Sequence, residues 1–144
     1  MAENLLLAVF LDVTTFLLHA AGLIALSHMI SYLLAHPMID GWQGEKILAM
    51  GALAFGLFVL VCAETAVWAI GMVLVGAFAH FETAFYFSTS AFATIGFTDV
   101  APAADWRLLG SMEGVTGLLI MGWTAAYLVT SSIRFGPFER DKHF

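Results

Sequence analysis

The sequence predicts an all-α membrane protein with three spanning helices and one short helix that dips into the bilayer and returns. Three observations carry that class. Of the 144 residues, 61% are hydrophobic and 11% charged, with a mean hydropathy of +0.92, against about 25% charged in an ordinary soluble domain. So little charge cannot cover a water-exposed globule, and the chain must meet lipid. Three apolar stretches, over residues 5–35, 47–75 and 106–132, each reach the roughly 20 residues that a spanning helix needs. Between the second and third, the six residues Thr94-Ile95-Gly96-Phe97-Thr98-Asp99 interrupt an otherwise oily sequence. What remains is too short for a second domain, so residues 1–144 read as a single transmembrane domain.

The first segment, 5–35, is long enough to span with tilt or overhang. Asp12, Thr15 and His19 follow i, i+3, i+7 spacing and share one helical face, which Gly22 continues. A polar stripe with a small residue faces another helix rather than lipid. The start Met1-Ala2-Glu3-Asn4 lacks the basic opening of a signal peptide, and no A-x-A pattern follows, so this segment is expected in the mature protein. A polar break from His36 to Lys46 leads to the second segment, 47–75, whose interior holds Glu64 with Trp68 one turn later. An ionisable group inside a span is costly and is paired. At about 1.5 Å per residue, Glu64 lies roughly 27 Å from the inner end of its segment and His19 roughly 22 Å up the first. This predicts a His19–Glu64 hydrogen bond or ion pair that clamps the two segments.

Residues 81–92 suit a helix, 93–99 a thread, and 100–105 a turn before the third segment. A short helix, a glycine-bearing thread and a spanning helix form the layout of an ion-channel pore loop, in which backbone carbonyls replace the water shell of a cation. Gly96 can reach the backbone angles that point successive carbonyls inward. The Thr94 hydroxyl adds an oxygen, and the short helix aims its negative C-terminal end at the pore axis. A full cage of oxygens needs four copies around an axis, so a homotetramer follows.

Residues 81–130 resemble the pore module of the potassium-channel superfamily, which reads helix, T-V-G-Y-G-D, helix. Thr94, Gly96 and Asp99 match, while Ile95 and Phe97 are conservative replacements. Gly117 and Gly122, with Thr124-Ala125 after them, look like the glycine pair and small-residue run of the inner pore-lining helix. The whole chain is similar to a group of small bacterial potassium-channel-family proteins that have one extra N-terminal helix and no cytosolic regulatory domain. The resemblance implies passive potassium conduction. The ion would be held by the carbonyls of Thr94, Ile95, Gly96 and Phe97, and Gly117 and Gly122 would be bending points or close helix contacts. The chain departs from the pattern at Thr98, where the family carries a second glycine. A β-branched threonine resists positive φ, so the outer half of the filter is expected to take another shape, with its ion sites widened, lost or rebuilt around the Thr98 hydroxyl. The alternatives are a non-selective cation channel or a non-conducting structural subunit. A proton-coupled carrier lacks the internal repeat it would need.

The remaining polar residues support rather than add chemistry. Glu113, two turns into the third segment, is expected to reach Thr89 or Ser90 and brace the filter from behind, or to pair with Asp12. Asp99 either anchors to the short helix or to Trp106, or joins Asp105 in a solvated acidic ring. Thr124, Tyr127, Leu128 and Ser131 are cavity or gate candidates. Gly110 and Gly114 fit a small-xxx-small contact, and the aromatics Phe81, Phe85, Tyr86, Phe87 and Phe92 a packing cuff. Arg134, Arg140, Lys142 and Lys46 place the C-terminus in the cytoplasm, with the loop opening outward and the N-terminus outside; the bacterial inner membrane is the expected location. The scattered acids behind the net charge of −6 exclude no partner, and the absence of a basic block excludes nucleic acid. The single Cys62 excludes an intrachain disulfide. No nucleophile–base or metal-ligand set occurs, so neither an enzyme nor a cofactor or organic substrate is expected. The lipid bilayer and further copies of the chain are the expected partners.

Overall fold

A computed structural model describes residues 2–35, 43–96 and 99–136. Four α-helices follow in order: α1, Ala2–Leu34; α2, Gln43–Leu74; α3, Phe81–Phe92; and α4, Arg107–Phe135, entered through a 3-10 turn at Ala104–Trp106. Among the described residues no strand occurs, and α1, α2 and α4 are long and apolar enough to cross a membrane. Each spanning helix runs three or four residues past its apolar stretch at one end and stops one residue short of it at the other. α2 begins four residues before Ile47, where Glu45 in the first turn meets the positive end of the helix dipole. α4 runs three residues past Ser132.

The long helices pack as a three-helix frame, with α3 packed against α2 and α4. At one end, Asn4 Nδ2 donates to the Asp105 carbonyl at 3.0 Å and ties the start of α1 to the approach to α4. At the other, Gly136 packs against Met50, so the end of α4 and the start of α2 lie together. The excursion between α2 and α4 begins and ends on the Asn4 side, where the Ala103 amide donates to the Ala77 carbonyl at 3.1 Å. α3 therefore enters and its chain returns through the same face. Its last residue, Phe92, reaches the level of Gly117, ten residues along α4 and about 15 Å in from Arg107.

Two apolar cores stack along the frame. The first joins Ala8 and Leu11 of α1, Trp68 and Met72 of α2, Ala84 and Phe92 of α3, and Leu109 and Ile120 of α4. The second holds Leu23, Ile30, Leu53, Leu57 and Leu60 between α1 and α2, with Tyr127 and Leu128 of α4 against it. Large apolar side chains such as Phe10, Leu17, Phe55 and Phe58 point outward, as expected for helices solvated by lipid rather than water. Burial within the frame reaches polar residues too: Thr15, His19, Glu64, Ser88 and Glu113 are fully enclosed.

Candidate functional site

The end of α3 builds the site. The Thr94 amide donates to the Ala91 carbonyl at 2.9 Å, and the Ile95 amide to the Ser90 carbonyl at 3.0 Å. This is the pair of bonds that closes a helix on a left-handed residue, a position normally held by glycine. α2 ends in the same way with a glycine: Gly76 has φ +76, its amide bonds Val73, and the Ala77 amide bonds Met72. In α3 the left-handed residue is Thr94, at φ +56. A β-branched residue there costs on the order of 1–2 kcal/mol. Strained residues of this kind cluster at functional sites, and the exposed Thr94 side chain carries a hydroxyl that glycine lacks.

Gly96 follows at φ +73, its amide on the same Ser90 carbonyl at 3.4 Å. The amides of Thr94, Ile95 and Gly96 are thus all turned back onto α3. Among the described residues, nothing donates to the carbonyls of Thr94, Ile95 or Gly96. Three acceptors are left free at the negative end of a helix. Phe97 and Thr98, expected to complete the run, lie outside the described residues. Asp99 is exposed, and no side-chain hydrogen bond joins it to α3 or Trp106 among the described residues, so neither expected anchor forms.

Behind the loop, three glycines bring α4 against α3. A Cβ at Gly110 would meet Phe87 at 2.8 Å, one at Gly114 the Ala91 carbonyl at 3.5 Å, and one at Gly117 the Phe92 carbonyl at 2.0 Å. Of the two roles expected of it, bending point or close helix contact, Gly117 takes the contact, and α4 runs continuously through it. Gly122 is open, with nothing within 4 Å of a Cβ there. Glu113 is enclosed on this same face, opposite Ser88 of α3. Neither its two carboxyl oxygens nor Ser88 Oγ finds a direct partner of good geometry. Thr89, one of the two residues expected to meet Glu113, faces away and bonds its own helix at the Phe85 carbonyl, 2.7 Å. Ser90 acts instead through its main-chain carbonyl, which holds Ile95 and Gly96. The helical rotation of about 100° per residue puts Ser88, not Thr89, towards α4. Buried polar groups are satisfied in nearly all proteins, so the facing, unpaired Glu113 and Ser88 stand out.

The α1 stripe meets a different partner at each level. Asp12 accepts from Thr116 Oγ1 of α4, Trp68 Nε1 of α2 donates to Thr15 Oγ1 at 3.1 Å, and His19 Nδ1 lies 2.8 Å from Glu64 Oε1. The pair is fully buried, and the Trp123 ring stands 5.0 Å from that of His19. Four residues along α1 match four residues back along α2, the register of an antiparallel pair. That spacing was the signal from which the Thr15–Trp68 bond could have been read. Further along, Ser27 Oγ lies 2.8 Å from the Tyr127 hydroxyl, which also bonds the Leu23 carbonyl at 3.2 Å. Tyr127 and Leu128 therefore pack on α1 and α2, and Ser131 is buried. This packing differs from the cavity or gate position expected of them; the exposed residues on this part of α4 include Leu118, Met121, Gly122, Ala125, Val129 and Thr130. Thr124 is half-buried with an unpaired hydroxyl.

A short helix packed against two spanning helices, followed by three carbonyls that accept no hydrogen bond among the described residues, is the architecture of a membrane protein of the pore-loop class. The family model Ion_trans_2, an ion channel, matches residues 47–132, more than half of the chain, and the protein belongs to this ion-channel family. The match covers α2, α3, the loop and most of α4, while α1 precedes it. Comparison with curated proteins and with solved structures gives no match.

Proposed function

We propose that the chain forms a homotetrameric, passive channel for monovalent cations, with potassium the preferred ion. Residues 1–144 act as one transmembrane unit in the bacterial inner membrane, loop outward, C-terminus in the cytoplasm and N-terminus outside. The observation that carries this reading is the set of free carbonyls at Thr94, Ile95 and Gly96, whose amides are all engaged by α3. A dehydrated cation needs such oxygens from several chains at once. The carbonyl of Phe97 and the hydroxyls of Thr94 and Thr98 would extend the set. The Ser90 carbonyl holds the loop from behind, Glu113 stands behind α3 opposite Ser88, Asp99 sits at the outer end, and Gly122 is the open point on the inner helix. No cofactor or organic substrate takes part.

Flux into liposomes tests the proposal. Purified protein is expected to pass K⁺ and Rb⁺ and little Na⁺. Equal Na⁺ flux would make the channel non-selective. No flux under any gradient would favour a second reading, a structural membrane subunit, which Thr98 in the place of the family glycine motivates. Thr98→Gly is expected to sharpen the preference for K⁺ over Na⁺; an unchanged ratio would show that Thr98 does not limit the filter.

Thr94 gives a separate expectation. Thr94→Gly relieves left-handed strain of about 1–2 kcal/mol but adds about 0.5–1 kcal/mol of unfolded-chain entropy. The unfolding midpoint in detergent is expected to hold or rise slightly, while K⁺ binding, read by calorimetry, weakens with loss of the hydroxyl. Binding retained at wild-type strength would remove the Thr94 hydroxyl from the ion site.

A further inference from the structure

We propose that α1 is a latch on the inner half of the pore-lining helix α4, closed by Tyr127. α3 and α4 approach closely at Gly117, where the two backbones touch. Five residues later Gly122 has open surroundings, and a glycine there costs helix rigidity. From that point inward, the side-chain hydrogen bonds that tie α4 to another element among the described residues are those of Tyr127. Thr130 and Ser132 bond their own helix, at the carbonyls of Ala126 and Val129. The remaining hold is apolar, through Tyr127, Leu128 and Phe135 against the second core. Apolar packing is non-directional and tolerates a helix that slides or tilts. Hydrogen bonds weaken steeply with angle and do not.

The Tyr127 hydroxyl is well placed to fix one position. It donates to the Leu23 carbonyl and accepts from Ser27 Oγ, so both its capacities are used on two successive turns of α1. α1 is in turn pinned to α2 by the Thr15–Trp68 and His19–Glu64 contacts, which makes it a fixed post rather than a passenger. A pinned outer half, an open glycine and one polar tie further in together make α4 a lever with a catch. The catch lies outside the residues that form the ion path. It goes beyond the conduction reading and rests on it only for the flux arm of its test.

The test uses the full chain with Cys62→Ser and spin labels at two exposed positions, Phe58 on α2 and Arg134 near the inner end of α4, with labelled chains diluted into unlabelled ones. Tyr127→Phe removes both bonds and keeps the ring in the core, and Ser27→Ala removes one bond. Loss of a neutral hydrogen bond shifts such an equilibrium about 2- to 10-fold. The Phe58–Arg134 distance distribution is expected to broaden or shift in Ser27→Ala and more so in Tyr127→Phe. Potassium flux is expected to rise in the same order. A distribution in Tyr127→Phe that overlays the parent's would overturn the latch, and Ser27→Ala decides the matter if Tyr127→Phe does not fold. A shifted distribution with unchanged flux in a conducting parent would overturn its control of the pore. If the parent itself does not conduct, the channel reading fails, while the distance measurement still decides the latch.

Discussion

Gly117→Ala is expected to disrupt the loop more than any other single-methyl change in the chain. The added Cβ would stand 2.0 Å from the Phe92 carbonyl oxygen, and contacts under 3.0 Å force something to shift. That oxygen is main chain, so no side-chain rotation relieves the clash. α3 and α4 must part by about 1 Å, and overpacking of this kind costs about 1–3 kcal/mol. The functional effect should exceed the loss of stability, because Phe92 lies two residues from the Ser90 carbonyl that holds the Ile95 and Gly96 amides. Detergent unfolding and K⁺/Na⁺ flux ratios measure the two. Gly122→Ala, which meets nothing within 4 Å, is the matched control and should be neutral or slightly stabilising, since alanine favours the helix by up to about 1 kcal/mol. Equal tolerance at both sites would mean that the α3–α4 approach is not rigid.

His19→Ala is expected to cost about 3 kcal/mol of stability. Removing one partner leaves Glu64 enclosed and alone, and orphaning a buried charge costs about 3–5 kcal/mol. The lower end applies because intramembrane hydrogen bonds average only about 0.6 kcal/mol in mutant cycles, so the penalty is chiefly that of the stranded carboxyl. The diagnostic variant is the double change His19→Leu with Glu64→Leu. Apolar replacement of both partners should recover most of the loss, as a higher unfolding midpoint than His19→Ala alone. A double variant that falls as far as the single one would mean that the pair holds α1 to α2 by directed bonding, not merely by mutual neutralisation.

The helices were legible because lipid imposes a simple rule: apolar runs of spanning length become helices, since no other backbone arrangement satisfies its own hydrogen bonds there. The return of the chain after α3 was legible from Gly96 and the turn that follows. His19 and Glu64 could be brought together by counting rise along two antiparallel helices. Rotation about a helix axis was harder to read. The second core takes Tyr127 and Leu128, and α4 has apolar residues on nearly every side, so its sequence does not say which side faces the frame. For the same reason Glu113 was expected opposite Thr89 or Ser90 and stands opposite Ser88. A changed shape was expected at Thr98, which lies outside the described residues. The strain at Thr94 was not read from the sequence, because the bonds closing α3 demand a left-handed residue there, and that demand depends on where the helix stops.

The polar stripe of α1 has a consequence for how the chain is made. α1 leaves the ribosome first, and its partners come late: Glu64 follows His19 by 45 residues, and Thr116 follows Asp12 by 104. An aspartate costs a lone inserted helix about 2.5–3.5 kcal/mol at its centre and less towards its ends, while each leucine returns only about 0.3–0.6; Asp12 lies a third of the way along α1. α1 is oily enough to enter the bilayer by itself, but it enters in debt. Synthesis of α2 relieves His19, and Asp12 is relieved only when α4 arrives. A nascent chain halted before α4 would therefore hold Asp12 in the bilayer without the Thr116 hydroxyl that it accepts from in the finished fold.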